Sequence, residues 1–394
     1  MSKRSGKTSI LVVAPCAFPL DRGTPIRIER LATLMSEKYD VHVATFHQGR
    51  EKNLPFTVHR ISKLPFDLTR SSGATFGKFI CDIFLLVLVL RLVPRYRIKL
   101  VDGHLHEGAL IAIIARFFFR VPALYNSHGT LAAEMVASGI FSAKSLGARF
   151  FQWIEDWIER SVDLILAQST VRRDDFLRKG IPPDRIALVE DAPLFEGYED
   201  AKPDPELRNR FAAAQNPIVI YTGELMPYQG VDLLFDALPS IFNRHPEARV
   251  ILFGRPGEPY RERVQSTTNA GRVFLVDDEP FERLPAYLAI SDIALAPRLY
   301  GGNVPGKLPI YMCAGRAIVG TDVAGINTVI EHGKTGWLVA PDAASLGDAI
   351  NTLIEKPELR ERIASGAREE ARGRYSPQVI EDSMNCAYEG LIRG

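Results

Sequence analysis

Arg298 and Lys307 bracket a stretch that holds Gly301, Gly302, Asn303, Pro305 and Gly306. Two cations around small residues suit an oxyanion of high charge. The side chains supply positive charge, and Asn303-Val304-Pro305-Gly306 can bring backbone amides close to it. A helix expected over Lys307–Cys313 would add the positive end of its dipole. Phosphate or diphosphate is the group such a turn would hold. On local pattern alone, a surface loop with two solvated cations accounts for the same residues, and both readings stay open.

His128 follows the strand-like run Ala123–Asn126 and precedes a helix-like one, which would set it at the carboxyl edge of a sheet. An imidazole there can hydrogen-bond a hydroxyl or phosphate, or move a proton near neutral pH; equally it can be structural. His104 and His106 alternate along what reads as one strand end, so they are expected on opposite faces with at most one lining a site. Gly23 and Thr24 form a turn whose amides could meet an anion. Thr24 as N-cap with Pro25 at the first helical position accounts for the same residues, and the two readings are compatible. Arg27, one turn on, points at the site or into solvent, and Asp191 falls in an expected linker.

Cys16, Cys81, Cys313 and Cys386 lie far apart with no C-x-x-C pair, and no second histidine converges at ligand spacing. Neither a zinc site nor a disulfide framework is expected, and a reducing compartment, the cytoplasm, is the simplest setting. The 48 Lys+Arg against 47 Asp+Glu leave a net charge of +1, so no global field draws the chain to nucleic acid. The first residues are basic, but Ile10–Ala14 is too short for the apolar region of a secretory signal.

These candidates need a frame, and 394 residues exceed what one hydrophobic core usually organises, so two domains are expected. Ser9–Ala14, Tyr39–Thr45, Leu100–Asp102, Ala123–Asn126 and Leu164–Ala167 are short apolar strands, each followed by helical periodicity. A fresh series begins at Ile218–Thr222, with a helix over Gly230–His245. It continues through Arg249–Phe253, Val273–Leu275, Ile293–Ala296, Ala317–Gly320 and Gly336–Val339. Fully apolar strands alternating with helices imply parallel sheets covered on both faces. The fold class is therefore α/β, two Rossmann-like domains of similar size, with ligands at the carboxyl ends of the strands. The expected domains are 1–195 and 205–376, parted by a Pro- and acid-rich linker, with a terminal helix over 377–394 crossing back to the first. The run Phe79–Val93, interrupted by Asp82 and Arg91, is short of a bilayer span. It reads either as a buried helix packed on the first sheet or, with the cations around 75–99 and Arg116–Arg120, as a patch on anionic lipid.

In order and spacing, several segments resemble the retaining α-glycosyltransferases of the GT-B fold often called group 1. These are Pro19–Arg27, Asp102-Gly-His104-Leu-His106, Tyr125–Gly129, Asp163–Ser169, Tyr221–Leu225 with Tyr228–Leu234, and Pro297–Lys307 with Tyr311–Val319. The resemblance covers essentially the whole chain. It departs where Gly302 and Ile310 stand for two glutamates, and Glu224 and Gln229 stand where Arg and Lys are common. What remains resembles a branch with a P-R-x-x-G-x-N-x-P-x-K loop, which moves positive charge to Arg298 and Lys307.

The resemblance implies a nucleotide-sugar donor (UDP- or GDP-linked) as co-substrate, no metal or other cofactor, and a glycan or lipid-linked acceptor. It implies catalytic roles for His128, Arg298 and Lys307. Donor contacts would come from Gly23, Thr24, Gly223, Glu224, Gly254, Arg255, Gly302, Asn303, Pro305 and Gly306. The leaving phosphate itself would deprotonate the acceptor, asking the protein mainly for charge stabilisation and orientation. The rival reading is a non-catalytic GT-B binding or scaffold protein; a sugar-nucleotide epimerase ranks last, because no carboxylate set for proton abstraction is evident.

Overall fold

The apolar strands of the first half bury themselves almost completely, and that dictates their neighbours. The computed structural model describes residues 6–20, 23–65, 76–129, 142, 145–190, 197–213, 215–255, 260–266, 271–300 and 304–393. It separates the chain into Met1–Glu190 with Pro377–Gly394, and Asp191–Ser376. In the first unit β1 (Ser9–Ala14), α1 (Gly23–Ser36), β2 (Asp40–Thr45), β3 (Thr57–Arg60), α2 (Phe76–Tyr96) and β4 (Val101–His104) come first. Then follow α3 (Leu105–Phe119), β5 (Ala123–Asn126), α4 (Leu146–Ser161), β6 (Leu164–Ala167), α5 (Thr170–Arg178) and β7 (Ile186–Leu188). The strands form one parallel sheet in the order β3-β2-β1-β4-β5-β6-β7. The strand order reverses between β1 and β4, the place where such sheets open a crevice.

The second unit holds α6 (Pro205–Asn209), β8 (Ile218–Thr222), α7 (Val231–Arg244), β9 (Arg249–Phe253), α8 (Tyr260–Ser266), β10 (Val273–Val276) and α9 (Leu284–Ala289). It continues with β11 (Ile293–Ala296), α10 (Lys307–Cys313), β12 (Ala317–Thr321), β13 (Trp337–Val339), α11 (Ala343–Glu355) and α12 (Pro357–Tyr375). Its parallel sheet runs β10-β9-β8-β11-β12-β13, with the reversal between β8 and β11. Val219, Tyr221, Val250, Leu252, Ile293 and Leu295 give it one buried face against Leu234, Leu238 and Ile241 of α7. The last helix, α13 (Pro377–Arg393), returns to the first unit, where Tyr388 is buried.

Six strands occupy the residues expected of them, because a fully apolar run of that length has few alternatives. β3 and β7 were not expected. Both lie at sheet edges and are half-buried, so neither carries a continuous apolar run.

The expectation of His104 and His106 on one strand is corrected. β4 ends at His104, Leu105 turns the backbone to φ +60°, and His106 already belongs to α3. Gly103 makes the sharp turn possible, since a Cβ there would meet the carbonyl oxygen of Gly108 at 2.3 Å. Thr24 is likewise not an N-cap, because α1 begins at Gly23. The buried-helix reading of Phe79–Val93 holds for one face of α2 only: Cys81, Leu85, Val89 and Leu92 are buried, whereas Phe79, Ile83, Phe84 and Val87 are exposed.

Candidate functional site

In the second unit three backbone stretches interlock at the reversal between β8 and β11. Gly223, just beyond β8, has φ +111° and donates its N–H to the Phe253 carbonyl at 2.9 Å. A Cβ on Gly254 would fall 2.1 Å from the Gly223 oxygen, and one on Gly230 would fall 1.7 Å from the Pro297 oxygen. Side chains at either position would push apart the loops that end β8, β9 and β11. Tyr311 of α10 ties the same place together: its hydroxyl accepts from the Thr222 amide at 2.9 Å and lies 3.3 Å from the Leu295 carbonyl oxygen.

Lys307, the first residue of α10, reaches into this floor. Its Nζ lies 3.9 Å from the centre of the Tyr221 ring, and a Cβ on Gly223 would sit 3.5 Å from it. The ammonium is shut off from water, and no described residue accepts a hydrogen bond from it. Burial, with the charge of Arg298 as the second cause, pulls its pKa down from 10.5 to about 7. Arg298 follows β11; its guanidinium lies 5.7 Å from the Tyr228 ring centre, and its carbonyl accepts from the Thr321 hydroxyl. A buried cation that, among the described residues, has only an aromatic face beside it and a second cation nearby is a charge that an anion would balance.

In the first unit the ends of β4 and β5 carry a buried chain of polar groups. His104 Nδ1 is 2.8 Å from His128 Nε2, Asp102 Oδ2 is 3.6 Å from His104 Nε2, and the Tyr388 hydroxyl donates to Asp102 Oδ2 at 2.7 Å. A carboxylate beside His104 Nε2 favours the proton there, so Nδ1 accepts from His128 Nε2–H. The Nδ1 of His128 is then left as an acceptor. Burial, then the neighbouring His104, Arg27 and His106, hold the His128 pKa well below 6.5, so the ring is neutral at physiological pH. Arg27 is not solvated: it is buried, donating to the Val189 carbonyl at 2.9 Å and to Asn126 Oδ1 at 3.4 Å.

His106, Glu155 and Glu159 place ligand atoms within 4.8 Å of one another. Lys179 Nζ lies 2.8 Å from Glu159 and 3.3 Å from Glu155, Arg172 lies 3.8 Å from Glu159, and His106 is 2.9 Å from the Tyr125 hydroxyl. Cations of the chain already face these carboxylates, which reads as a buried ion network joining α3, α4 and α5.

The expected donor contacts Gly223 and Gly254 come together in the second unit with Arg298 and Lys307, two of the residues expected to be catalytic. Glu224 and Arg255 are exposed and contribute backbone: the Glu224 carbonyl accepts from Tyr221 Oη at 2.8 Å, and that of Arg255 from the Leu225 amide at 3.2 Å. Pro305 is buried, its carbonyl accepting from the Leu308 amide at 3.0 Å, and Gly306 is exposed before α10. Gly23 and Thr24 open α1 in the first unit. Gly302, Asn303 and Asp191 lie outside the described residues. Sequence reasoning missed Tyr221, Tyr311, Asp102 and Tyr388. The first three stand in segments that carry the family resemblance, but Tyr388 lies far along the chain and carries no local signal.

The sequence family described as "Glycosyl transferases group 1" matches residues 216–356, and "Glycosyl transferase 4-like domain" matches residues 22–191. A GDP-mannose-dependent alpha-(1-6)-phosphatidylinositol monomannoside mannosyltransferase of Mycobacterium tuberculosis is 30% identical over 324 residues, 78% of this chain and 79% of that enzyme. The chain belongs to the group 1 glycosyltransferases. As a member of that family it is a glycosyltransferase enzyme. Alpha-D-kanosaminyltransferase of Streptomyces kanamyceticus is 27% identical over 61% of this chain and 64% of its own length.

Solved structures share the fold. A sucrose-phosphate synthase from Thermosynechococcus elongatus superposes with TM-score 0.78 at 18% identity, covering 98% of this chain and all of that one. Anabaena HepE in complex with UDP gives 0.76 at 19% identity, with 98% and 100% covered. The fold is GT-B, two Rossmann-like domains with parallel sheets.

Proposed function

We propose that this glycosyltransferase moves a hexose from a nucleoside-diphosphate sugar to a hydroxyl of a glycan or lipid-linked acceptor, with retention, in the cytoplasm. The observation that carries the reading is the buried Lys307 ammonium over Tyr221, with no acceptor among the described residues and the Gly223–Gly254 floor beside it. A diphosphate brings the missing negative charge, and most of it grows on the leaving oxygen as the glycosidic bond breaks. Lys307 and Arg298 then stabilise the transition state more than the ground state, which is what raises the rate. No metal is needed where two cations of the chain meet the diphosphate.

His128 Nδ1, held as an acceptor by His104, takes a hydrogen bond from a sugar or acceptor hydroxyl. Retention fits a scheme in which the departing phosphate oxygen receives the acceptor proton on the face it leaves, with no carboxylate nucleophile. The relatives support either base: the M. tuberculosis enzyme is named GDP-mannose-dependent, and HepE was solved with UDP and with UDP-glucose. A lipid-linked acceptor is supported by the relative named phosphatidyl-myo-inositol mannosyltransferase, 27% identical over 75% of this chain.

A second reading, a GT-B protein that binds without catalysis, is favoured by Ile310, a buried apolar residue of α10 where many members carry an acid. Thermal unfolding with UDP, GDP or ADP at millimolar concentration, followed by hydrolysis of a nucleotide-sugar panel, separates the outcomes. A rise in midpoint with one nucleotide and release of its sugar supports transfer; a rise without turnover of any donor or acceptor supports binding alone. No rise with any of the three removes both.

A further inference from the structure

The helices on one face of the first unit turn apolar side chains away from the protein. Ala123 and Tyr125, two apart on β5, share a sheet face; the first packs beneath α2 and α3, the second beneath α3 and α4. All three helices therefore lie in one layer, with α3 in contact with both others. On its outer side α2 exposes Phe79 (63%), Ile83, Phe84 and Val87; α3 exposes Leu110, Phe117 (81%) and Phe118; α4 exposes Leu146, Phe150, Trp153 (63%) and Trp157. These recur at helical spacing on the faces opposite the buried residues, so they form a continuous surface rather than scattered exceptions.

The charges around this surface have one sign. Arg91 and Arg95 continue the exposed face of α2, Arg97 and Lys99 follow it, Arg120 ends α3, and Arg149 sits beside Phe150 and Trp153 on α4. Among the described residues none of these six pairs with a carboxylate. The acids nearby are neutralised: Glu107 pairs with Lys78, Asp156 with Lys179 at 3.0 Å, and Asp82 is pushed up to about 8 by burial and Glu107. A second copy meeting this face about a two-fold axis would bring like cations together. An anionic lipid surface opposes them with negative charge and takes up the aromatic rings at headgroup depth.

We infer that the outer face of the α2–α3–α4 layer docks on the surface of an anionic phospholipid bilayer. Among the described residues no helix is long and apolar enough to cross one, so the layer lies on the membrane. Docking of this kind needs no donor chemistry, so its failure and the failure of sugar transfer read out separately.

Trp153 and Trp157 are two of the three tryptophans of the chain and report on the face directly. The full chain is mixed, without donor or acceptor, with vesicles of phosphatidylcholine alone or of phosphatidylcholine with phosphatidylglycerol. The expected result is sedimentation with the anionic vesicles, a blue-shifted emission quenched by brominated lipid, and loss of binding as salt rises. Arg91→Glu and Arg95→Glu should each lower partition about fivefold or more. Phe117→Ser with Trp153→Ser should lower it further while leaving the unfolding midpoint near that of the parent, since both side chains are exposed. Equal sedimentation with both vesicle types, none with either, or binding indifferent to these substitutions would overturn the inference. So would a dimer in sedimentation velocity that Phe117→Ser with Trp153→Ser dissociates, which would make a second copy the occupant.

Discussion

His104 Nδ1 stands 2.8 Å from His128 Nε2, and behind it Asp102 Oδ2 lies 3.6 Å from His104 Nε2. The pair fixes which nitrogen of His128 is left to meet a hydroxyl. His104→Ala or Asp102→Asn should therefore lower kcat, up to about a hundredfold, with the donor KM changed little. His104→Gln, which keeps a hydrogen-bonding side chain near His128, should restore part of the loss. Equal losses in all three variants, tracking a lower unfolding midpoint, would reduce the pair to a structural role.

Lys307 is a buried cation that no described residue balances. Lys307→Met keeps most of the volume and the contact with Tyr221 but removes the charge. The empty chain should gain about 1–3 kcal/mol in chemical unfolding. Nucleoside-diphosphate affinity should fall about a hundredfold in titration calorimetry. A variant that loses stability and keeps affinity would place the diphosphate elsewhere.

The same lysine sets a pH dependence. Its pKa falls from 10.5 to about 7 on folding, so between those values the unfolded chain holds a proton that the folded chain lacks. Stability of the empty chain should then rise with pH across that window relative to Lys307→Met, and be lost as pH falls toward about 7. Binding of a diphosphate favours the charged form. Affinity should weaken as pH rises through about 7, with proton uptake seen as calorimetric heats that change with the buffer.

The glycines of the floor differ in what they tolerate. Gly254→Ala puts a methyl 2.1 Å from the Gly223 oxygen at φ +152°, and Gly230→Ala puts one 1.7 Å from the Pro297 oxygen. Each should cost the second unit more than about 1–3 kcal/mol and abolish nucleotide binding. Gly306→Ala, with φ −58° and nothing within 4 Å, should leave stability unchanged. Urea unfolding of the three variants tests the contrast.

Lys179 faces Glu155 and Glu159 inside the first unit, where burial raises the pKa of Glu159. Lys179→Met should destabilise the chain by about 3–5 kcal/mol, because it leaves two buried carboxylates with one cation fewer. Little change would mean that water reaches the network.

Strand positions and the alternation of strand and helix were legible in the residues, because a run such as Ile218–Thr222 can bury both faces only inside a covered parallel sheet. The glycine- and cation-bearing loops were legible for a similar local reason: Gly223 and Arg298 follow strand ends within a few residues, and Lys307 opens the helix that comes after β11. The polarity of α2 was not legible, since Phe79 and Leu85 look alike until the sheet claims one face and leaves the other bare.

Partnership over distance was likewise decided by the fold alone. Tyr388 meets Asp102 across 286 positions, and Lys307 finds Tyr221 across nearly half of the second unit, because the crossovers bring distant strand ends and helices together. Even His104 and His106, two residues apart, parted company when Leu105 took φ +60° and began a helix. Local sequence determines which groups stand ready at a strand end; only tertiary packing, through burial and the charges it gathers, decides which partner each meets and whether it carries its proton.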